Sequence, residues 1–193
     1  MTTVYLARHG QSDWNAEGRW QGNADRPLTD LGRQQAEELA ERLASVPLDA
    51  VYSSDLRRAR ETAESVAARQ GLEVQARTEL REVDVGSWSG LSRPEVEERF
   101  PAAFARWLDG GHGWDDGESY EAMTDRVVAA VLEIASAHPD GTVLVVAHGG
   151  PIRALHAVAL GLDIAEHRRL KPVAVNAKLS RLSVADGRIA VER

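Results

Sequence analysis

The chain has 193 residues, the size of one domain, and its 43% hydrophobic and 27% charged residues are typical of a globular protein rather than a disordered or membrane-spanning one. Its 23 basic and 30 acidic residues give a formal charge of −7, so we expect no nucleic-acid and no membrane partner. There is no cysteine, which excludes disulfides and thiol catalysis, and the N-terminus lacks the pattern of a secretion signal, so we expect a cytoplasmic protein.

The first predicted strand is the β-branched and apolar run at 3–7, which ends at the loop Arg8-His9-Gly10. Thr29 is a typical helix N-cap, and apolar residues recur after it every three or four positions, which predicts an amphipathic helix over 30–44. Its predicted buried face consists of Leu31, Ala36, Leu39, Ala40 and Leu43.

The middle of the chain repeats this alternation. A strand is predicted at 48–52 and is followed by Ser53-Ser54-Asp55, polar residues able to cap a helix over 56–69; a third strand is predicted at 72–75. Short helices are predicted over 94–108, and Ser119 is the expected N-cap of a long helix.

The last predicted elements are a strand that ends at a second histidine and a hairpin near the C-terminus. The unbroken apolar run at 142–147 predicts a strand that is covered on both faces, and it ends at His148-Gly149-Gly150. Near the C-terminus, alternating residues on both sides of Asp186-Gly187 predict a hairpin with a type I′ turn.

Strands that alternate with helices predict an α/β fold: a three-layer α/β/α sandwich in one domain over 1–193, with a mainly parallel central sheet and helices on both faces. Such sheets bind ligands beyond the carboxyl ends of their strands. The segments RHG, SSDLRR and HGG all follow predicted strands, so we expect them to face the same side of the sheet.

A histidine at a strand end beside an arginine suits attack on phosphorus. The guanidinium neutralises phosphate oxygens, the neutral imidazole supplies the nucleophile, and a neighbouring glycine lets phosphate oxygens approach backbone N–H groups. Either His9 or His148 alone is equally well explained as a structural histidine. Two such histidines, each next to glycine at a strand end, favour the phosphate site.

Six segments in order resemble the histidine phosphatases, the family that includes the cofactor-dependent phosphoglycerate mutases. They are LARHGQSDWNAEGRWQG, DRPLTDLGRQQA, VYSSDLRRARETA, LREVDVGSWSGL, GES and VLVVAHGGPIRAL. The resemblance implies a metabolite phosphatase in which His9 is phosphorylated, Arg8 and Arg58 bind the phosphoryl group and His148 completes the pocket. It also implies Glu82 as general acid and base, with Asp84 as the less favoured alternative, and a phosphate site lined by Asn15, Gln21, Gly22 and Gly149.

The resemblance also implies a small helical cap over the site, built between Trp88 and Ser119. We expect no cofactor, and no metal ion, because the histidines lack metal-ligand spacing. The expected partner is a small phosphorylated metabolite. A homodimer is possible, but the sequence does not indicate the oligomeric state.

Two other functions remain open. A cofactor-dependent phosphoglycerate mutase is disfavoured by two segments. Where mutases have a sequence similar to ERHYG, beginning with the acid, this chain has Glu82-Val83-Asp84-Val85-Gly86. Where mutases have HGN, this chain has His148-Gly149-Gly150. A noncatalytic module that binds phosphorylated ligands is disfavoured because both His9 and Glu82 are present. We therefore expect a phosphomonoesterase that uses a phosphohistidine intermediate.

Overall fold

A six-stranded sheet organises the part of the chain that a computed structural model describes, residues 1–170 and 173–192. The strands are β1 (Thr2–Arg8), β2 (Ala50–Ser54), β3 (Val74–Arg77), β4 (Thr142–Ala147), β5 (Leu179–Ala185) and β6 (Arg188–Val191). The helices of these residues are α1 (Asp13–Ala16), α2 (Asp30–Leu43), α3 (Arg57–Gln70), α4 (Arg93–Arg99), α5 (Pro101–Leu108), α6 (Tyr120–Ala137), α7 (Gly149–Ala159) and α8 (Ile164–Leu170). None of them is long and apolar enough to cross a bilayer.

The strand order is β3-β2-β4-β1-β5-β6. The pairs β3–β2, β2–β4 and β4–β1 are parallel, whereas β5 pairs antiparallel with both β1 and β6. The predicted mainly parallel sheet is confirmed. Strand β1 lies near the middle, between β4 and β5, so its carboxyl end at Arg8 opens onto the same edge as the end of β4 at Ala147.

Two hydrophobic cores lie on opposite faces of this sheet. Along β4, Val143 and Val145 point into the core that contains α6 and α7, while Leu144 and Val146 point into the core that contains α2 and α3. This period of two is the reason why the whole run is apolar, because both faces of the strand are covered. Helices on both faces confirm the three-layer α/β/α sandwich.

Helices α4 and α5 form the predicted small cap, which is built around aromatic side chains. Trp88 and Trp114 are buried and meet edge to face, with their ring centroids 5.6 Å apart. Phe104 stacks on Trp107 at 5.7 Å. The tryptophans therefore give the cap its own apolar interior, as such pairs add stability beyond the area they bury.

Several local predictions are confirmed. Thr29 caps α2 by accepting a hydrogen bond from the Gly32 N–H, and Ser119 caps α6 in the same way. Asp186 and Gly187 both have positive φ, at 51° and 70°, as a type I′ turn requires.

Three local predictions need correction. Strands β2 and β3 each begin two residues later than predicted, because pairing in the parallel sheet starts at Ala50 opposite Val143 and carries β3 with it. Leu56 rather than a polar residue is the N-cap of α3; the Ser54 hydroxyl accepts the Leu56 N–H instead. Leu31 is exposed, because the buried stripe of α2 begins at Gly32.

Candidate active site

A pocket of about 340 Å³ opens at the carboxyl edge of the sheet, under the cap. It collects residues from the ends of β1 and β4, from the start of α3 and from the loop before the cap. Of the predicted site residues, its wall contains Arg8, His9, Asn15, Gln21, Gly22, Arg58, Glu82 and Gly149. Three segments far apart in sequence thus meet at one edge, as the rule for parallel sheets predicts.

His9 is buried on the pocket wall, and its tautomer is set by a backbone contact. Its Nδ1 lies 2.6 Å from the Gly10 carbonyl oxygen, which only accepts, so Nδ1 carries the proton and Nε2 keeps the lone pair. Burial, together with the charges of Arg58 and Arg8, holds the pKa of His9 well below its ordinary value. The ring is therefore a neutral base with a single available nitrogen, the form a nucleophile needs.

His148 packs against His9 and is not among the residues of the pocket wall. The two ring centroids are 5.1 Å apart, and His148 is fully buried at the N-cap of α7. Burial, followed by the Arg58 charge, holds its pKa well below the ordinary value. Neither of its ring nitrogens has a hydrogen-bond partner among residues 1–170 and 173–192.

Two arginines, Arg58 buried and Arg8 part-buried, supply positive charge at the inner end of the pocket. Arg58 is completely buried, and its guanidinium donates to the carbonyl oxygens of Ala24 at 2.7 Å and Gly22 at 2.9 Å. Arg8 donates to the Ala174 carbonyl at 2.6 Å. Burial lowers the pKa of Arg58 to about 10, which still leaves it charged at neutral pH. Both cations are thus fixed by backbone oxygens before any anion arrives.

The amide side chains of Asn15 and Gln21 are oriented by partners that occupy their oxygens. Asn15 Oδ1 accepts from the Ser12 N–H and from Asn176 Nδ2, each at 3.2 Å, and Gln21 Oε1 accepts from the Ser12 hydroxyl at 2.7 Å. Their NH₂ groups are left to donate, as phosphate oxygens require. Asn176, which also donates to the His9 carbonyl at 3.0 Å, is a contributor that sequence reasoning missed.

Gly10 has a different role from the one expected, whereas Gly22 lies on the pocket wall. Gly10 was expected to leave room for phosphate, but a Cβ there would lie 2.3 Å from the Gly32 carbonyl oxygen, so Gly10 allows the loop to pack against α2. Gly22 has a φ of +50° on the pocket wall, a conformation that favours glycine.

Glu82 lies on the pocket wall together with His9, next to the first turn of α7. Its carboxylate accepts the Gly150 N–H at 3.0 Å through Oε1, and the N–H of Val83 at 2.9 Å. Gly150 lies in the first turn of α7, where backbone N–H groups have no partner within the helix. The alternative acid, Asp84, is not on this wall; its Oδ1 accepts from the Gly86 N–H at 3.0 Å.

The outer part of the pocket is aromatic and cationic. Its wall there includes Arg19, Trp20, Arg93, Trp107, Trp114, Tyr120 and Arg153. The sequence placed Arg93, Trp107 and Trp114 in the cap but missed Arg153, which lies one helical turn after Gly149 and so shares its face of α7. Arg99 and Arg106, which lie in the same segment between Trp88 and Ser119, pair with Glu95 and Asp115 outside the pocket.

Within the described ranges, no group of three or more His, Asp or Glu side chains is arranged to hold a metal ion. The charges facing the inner pocket come instead from Arg8 and Arg58.

Comparison with known proteins agrees with this geometry. The chain is 38% identical over 168 residues to phosphoserine phosphatase 1 of Hydrogenobacter thermophilus, covering 86% of this chain and 80% of that one. It is 41% identical over 172 residues to the glucosyl-3-phosphoglycerate phosphatase of Mycolicibacterium vanbaalenii, covering 83% and 75%. The solved structure of a mycobacterial glucosyl-3-phosphoglycerate phosphatase complexed with VO3 superposes with a TM-score of 0.89, at 34% identity, covering 99% of this chain and 97% of that one.

These relatives are named as phosphatases, which confirms the expectation of a phosphoric monoester hydrolase. The family model described as histidine phosphatase superfamily (branch 1) matches residues 4–193. The chain belongs to the histidine phosphatase superfamily.

Proposed function

We propose that His9 is the residue through which this chain hydrolyses small phosphomonoesters. The observation that carries the assignment is the bond from His9 Nδ1 to the Gly10 carbonyl, at 2.6 Å, because it leaves Nε2 as the nucleophile on a ring that feels the charges of Arg58 and Arg8. In the first step the Nε2 lone pair attacks phosphorus, a P–N bond forms, and the P–O bond to the alcohol breaks.

Glu82 completes the reaction in both steps. As a carboxylic acid it gives its proton to the departing alkoxide, and as a carboxylate it then takes a proton from the water that attacks the phosphohistidine. The P–N bond breaks, inorganic phosphate leaves, and His9 returns to its neutral form. One carboxylate serves both steps because the leaving oxygen and the attacking water occupy the same side of phosphorus.

The arginines stabilise the phosphoryl group during transfer. Charge spreads over its equatorial oxygens, and fixed cations stabilise that charge better than mobile water does. Arg8 and Arg58 meet this requirement because backbone carbonyls already hold them. We assign Asn15, Gln21, Gly22 and Gly149 to the same phosphate site, and His148 to supporting the His9 ring.

The pocket wall supports hydrolysis over the mutase reaction. Val83 and Val85 both line the pocket, so this chain has apolar side chains at positions where mutases have the polar side chains of a segment similar to RHYG. Neither valine side chain has a donor with which to hold a second phosphoryl group at this position. A noncatalytic role is disfavoured because His9 and Glu82 lie in one pocket with both arginines.

The outer pocket supports an anionic metabolite as the substrate. Arg19, Arg93 and Arg153 lie on its wall beyond the phosphoryl site, together with aromatic rings. Phosphoserine and glucosyl-3-phosphoglycerate, the substrates that the names of two relatives give, both carry a carboxylate besides the phosphoryl group. We therefore propose a phosphorylated carboxylic acid that fits about 340 Å³. The cytoplasmic location expected from the sequence stays a prediction.

The test is to trap the intermediate. Wild-type protein and the variants His9→Ala and His156→Gln are mixed with ³²P-labelled substrate and quenched at alkaline pH. We expect acid-labile label on His9 in the wild type and in His156→Gln, and neither label nor turnover in His9→Ala. His156 is the matched control because it is part-buried outside the pocket, bonded to Ser180. Acid-stable label, or turnover in His9→Ala, would remove His9 from the role.

A further inference from the structure

Arg126, on α6, uses every N–H of its guanidinium, and none of them faces the pocket. Nε and Nη2 donate to the two carboxylate oxygens of Glu118, at 2.6 and 2.7 Å. Nη1 donates to the carbonyls of Glu79 at 2.7 Å and Arg81 at 2.8 Å, and Nη2 also donates to the Glu82 carbonyl at 3.1 Å. These five bonds account for all five N–H donors of an arginine.

The three carbonyls belong to the segment that presents Glu82. They come from residues 79, 81 and 82, so Arg126 binds the backbone on the N-terminal side of Glu82 and at Glu82 itself. The C-terminal side is held by Glu118, whose backbone N–H donates to the Asp84 carbonyl at 2.8 Å.

The carboxylate of Glu82 has fewer contacts than the backbone that carries it. Within the described residues it accepts hydrogen bonds from two N–H groups, those of Gly150 and Val83. Both donors are backbone groups, so no other side chain fixes its orientation through them. The direction of the carboxylate therefore depends on the N-terminus of α7 and on how the backbone of Glu82 itself is fixed.

We propose that Arg126 and Glu118 are positioning residues for the general acid and base, holding the 79–84 backbone so that Glu82 reaches the reacting oxygen. This inference rests on the proposed role of Glu82. Neither residue lines the pocket, so neither would touch a bound substrate, and Arg126→Lys keeps the positive charge that also acts on His148.

An arginine is required here by geometry as well as by charge. The planar guanidinium reaches a carboxylate on one edge and three carbonyls on the others, whereas lysine has three donors on a single nitrogen. The pair is also mostly sheltered, since the side chains of Arg126 and Glu118 are 23% and 19% exposed. Arg126→Lys therefore keeps the charge and gives up the fixed backbone contacts.

The experiment compares two esters that differ in their need for a proton. An alkyl phosphate has a basic leaving group that needs the acid, whereas p-nitrophenyl phosphate releases a stable phenolate. For Arg126→Lys we expect kcat/KM to fall by about 10- to 100-fold on the alkyl phosphate and by less than about 3-fold on the aryl ester, because a displaced acid costs only the step that uses it. Glu118→Gln is expected to show the same pattern, with the larger loss of kcat/KM on the alkyl phosphate.

A double-variant cycle separates positioning from general damage to the fold. In a Glu82→Gln background, Arg126→Lys should cost less than about 2-fold on either ester, because the group it positions is already gone. Arg168→Lys is the matched control, since Arg168 also binds three backbone carbonyls, those of Trp107, Gly110 and Gly111. It should leave the ratio of the two kcat/KM values unchanged, whatever it does to KM.

Equal losses on both esters, or the full loss repeated in the Glu82→Gln background, would overturn the inference. If Arg126→Lys does not fold, Glu118→Gln decides by the same ratio. If Glu82→Gln itself fails to separate the two esters, the proposed role of Glu82 is wrong, a result that is distinct from failure of the positioning pair.

Discussion

Replacing Gly150 by alanine should displace Glu82 without removing any catalytic group. A Cβ at position 150 would lie 2.3 Å from Glu82 Oε1, whereas ordinary contacts begin at 3.4 Å, so the carboxylate must move by roughly 1 Å. The movement also weakens the 3.0 Å hydrogen bond from the Gly150 N–H. A shift of about 1 Å in a catalytic group costs on the order of 10²-fold in rate.

The stability of this variant should change much less than its activity. Alanine gains about 1 kcal/mol over glycine within a helix, while crowding of a packed site costs about 1–3 kcal/mol. The new methyl group would meet Met123 Sδ at 2.9 Å, so some crowding is expected beyond that with Glu82. The net loss of at most about 2 kcal/mol lowers Tm by less than about 8 °C in a chain of this length.

The assay is kcat/KM on an alkyl phosphate and on p-nitrophenyl phosphate, with Tm measured by circular dichroism. We expect a loss of about 10²-fold on the alkyl ester and a much smaller loss on the aryl ester, whose leaving group needs no proton. Gly71→Ala is the control: it ends α3 at a φ of +66° with open space around it, so it costs stability but touches no part of the pocket. Wild-type activity on the alkyl ester in Gly150→Ala would refute the placement of Glu82.

Three further outcomes are expected. Hydrolysis should continue in EDTA, because Arg8 and Arg58 supply the positive charge that a metal supplies elsewhere; activity that returns only with a divalent ion would contradict this. Vanadate should inhibit competitively and raise Tm, and Arg58→Lys should weaken both effects, because lysine cannot keep the two carbonyl contacts of Arg58 while facing an anion. Burial holds the pKa of His9 and of His148 well below the ordinary value, so below about pH 7 the unfolded chain binds protons that the folded chain does not, and stability falls as pH falls. Urea unfolding at pH 7 and at pH 5 should show His148→Gln losing less stability than the wild type, by up to about 2 kcal/mol.

The inner half of the site could be predicted because its residues lie next to strands. Arg8 ends β1, His9 follows it, and Gly149 lies two residues after the end of β4, so an apolar run followed by polar residues is visible in the sequence. Parallel strands then bring their carboxyl ends to one edge, so proximity in space follows from topology alone. Glu82 was reached only through resemblance to a family, because the loop that carries it has no periodic pattern.

The features that could not be predicted from the sequence are contacts between segments far apart in the chain, because no local sequence pattern marks such contacts. Arg126 looks like an ordinary polar residue on the exposed side of a helix until the 79–82 carbonyls are placed against it. Asn176 lies in an irregular segment before β5, and its contact with His9 depends on how that segment returns to the sheet. Leu31 was assigned to the wrong face because a glycine, which carries no hydrophobic signal, begins the buried stripe of α2.

The central position of β1 has a consequence for how the protein is made. Strand β1 is synthesised well before β4 and β5, the strands it pairs with, and the carbonyl of His9 is bound by Asn176, 167 positions later. Contacts of such long range slow folding, because a large loop must close before they form. A nascent chain on the ribosome therefore lacks both neighbours of β1 and carries no assembled phosphate pocket, so it gains activity only once β5 has been released to join the sheet.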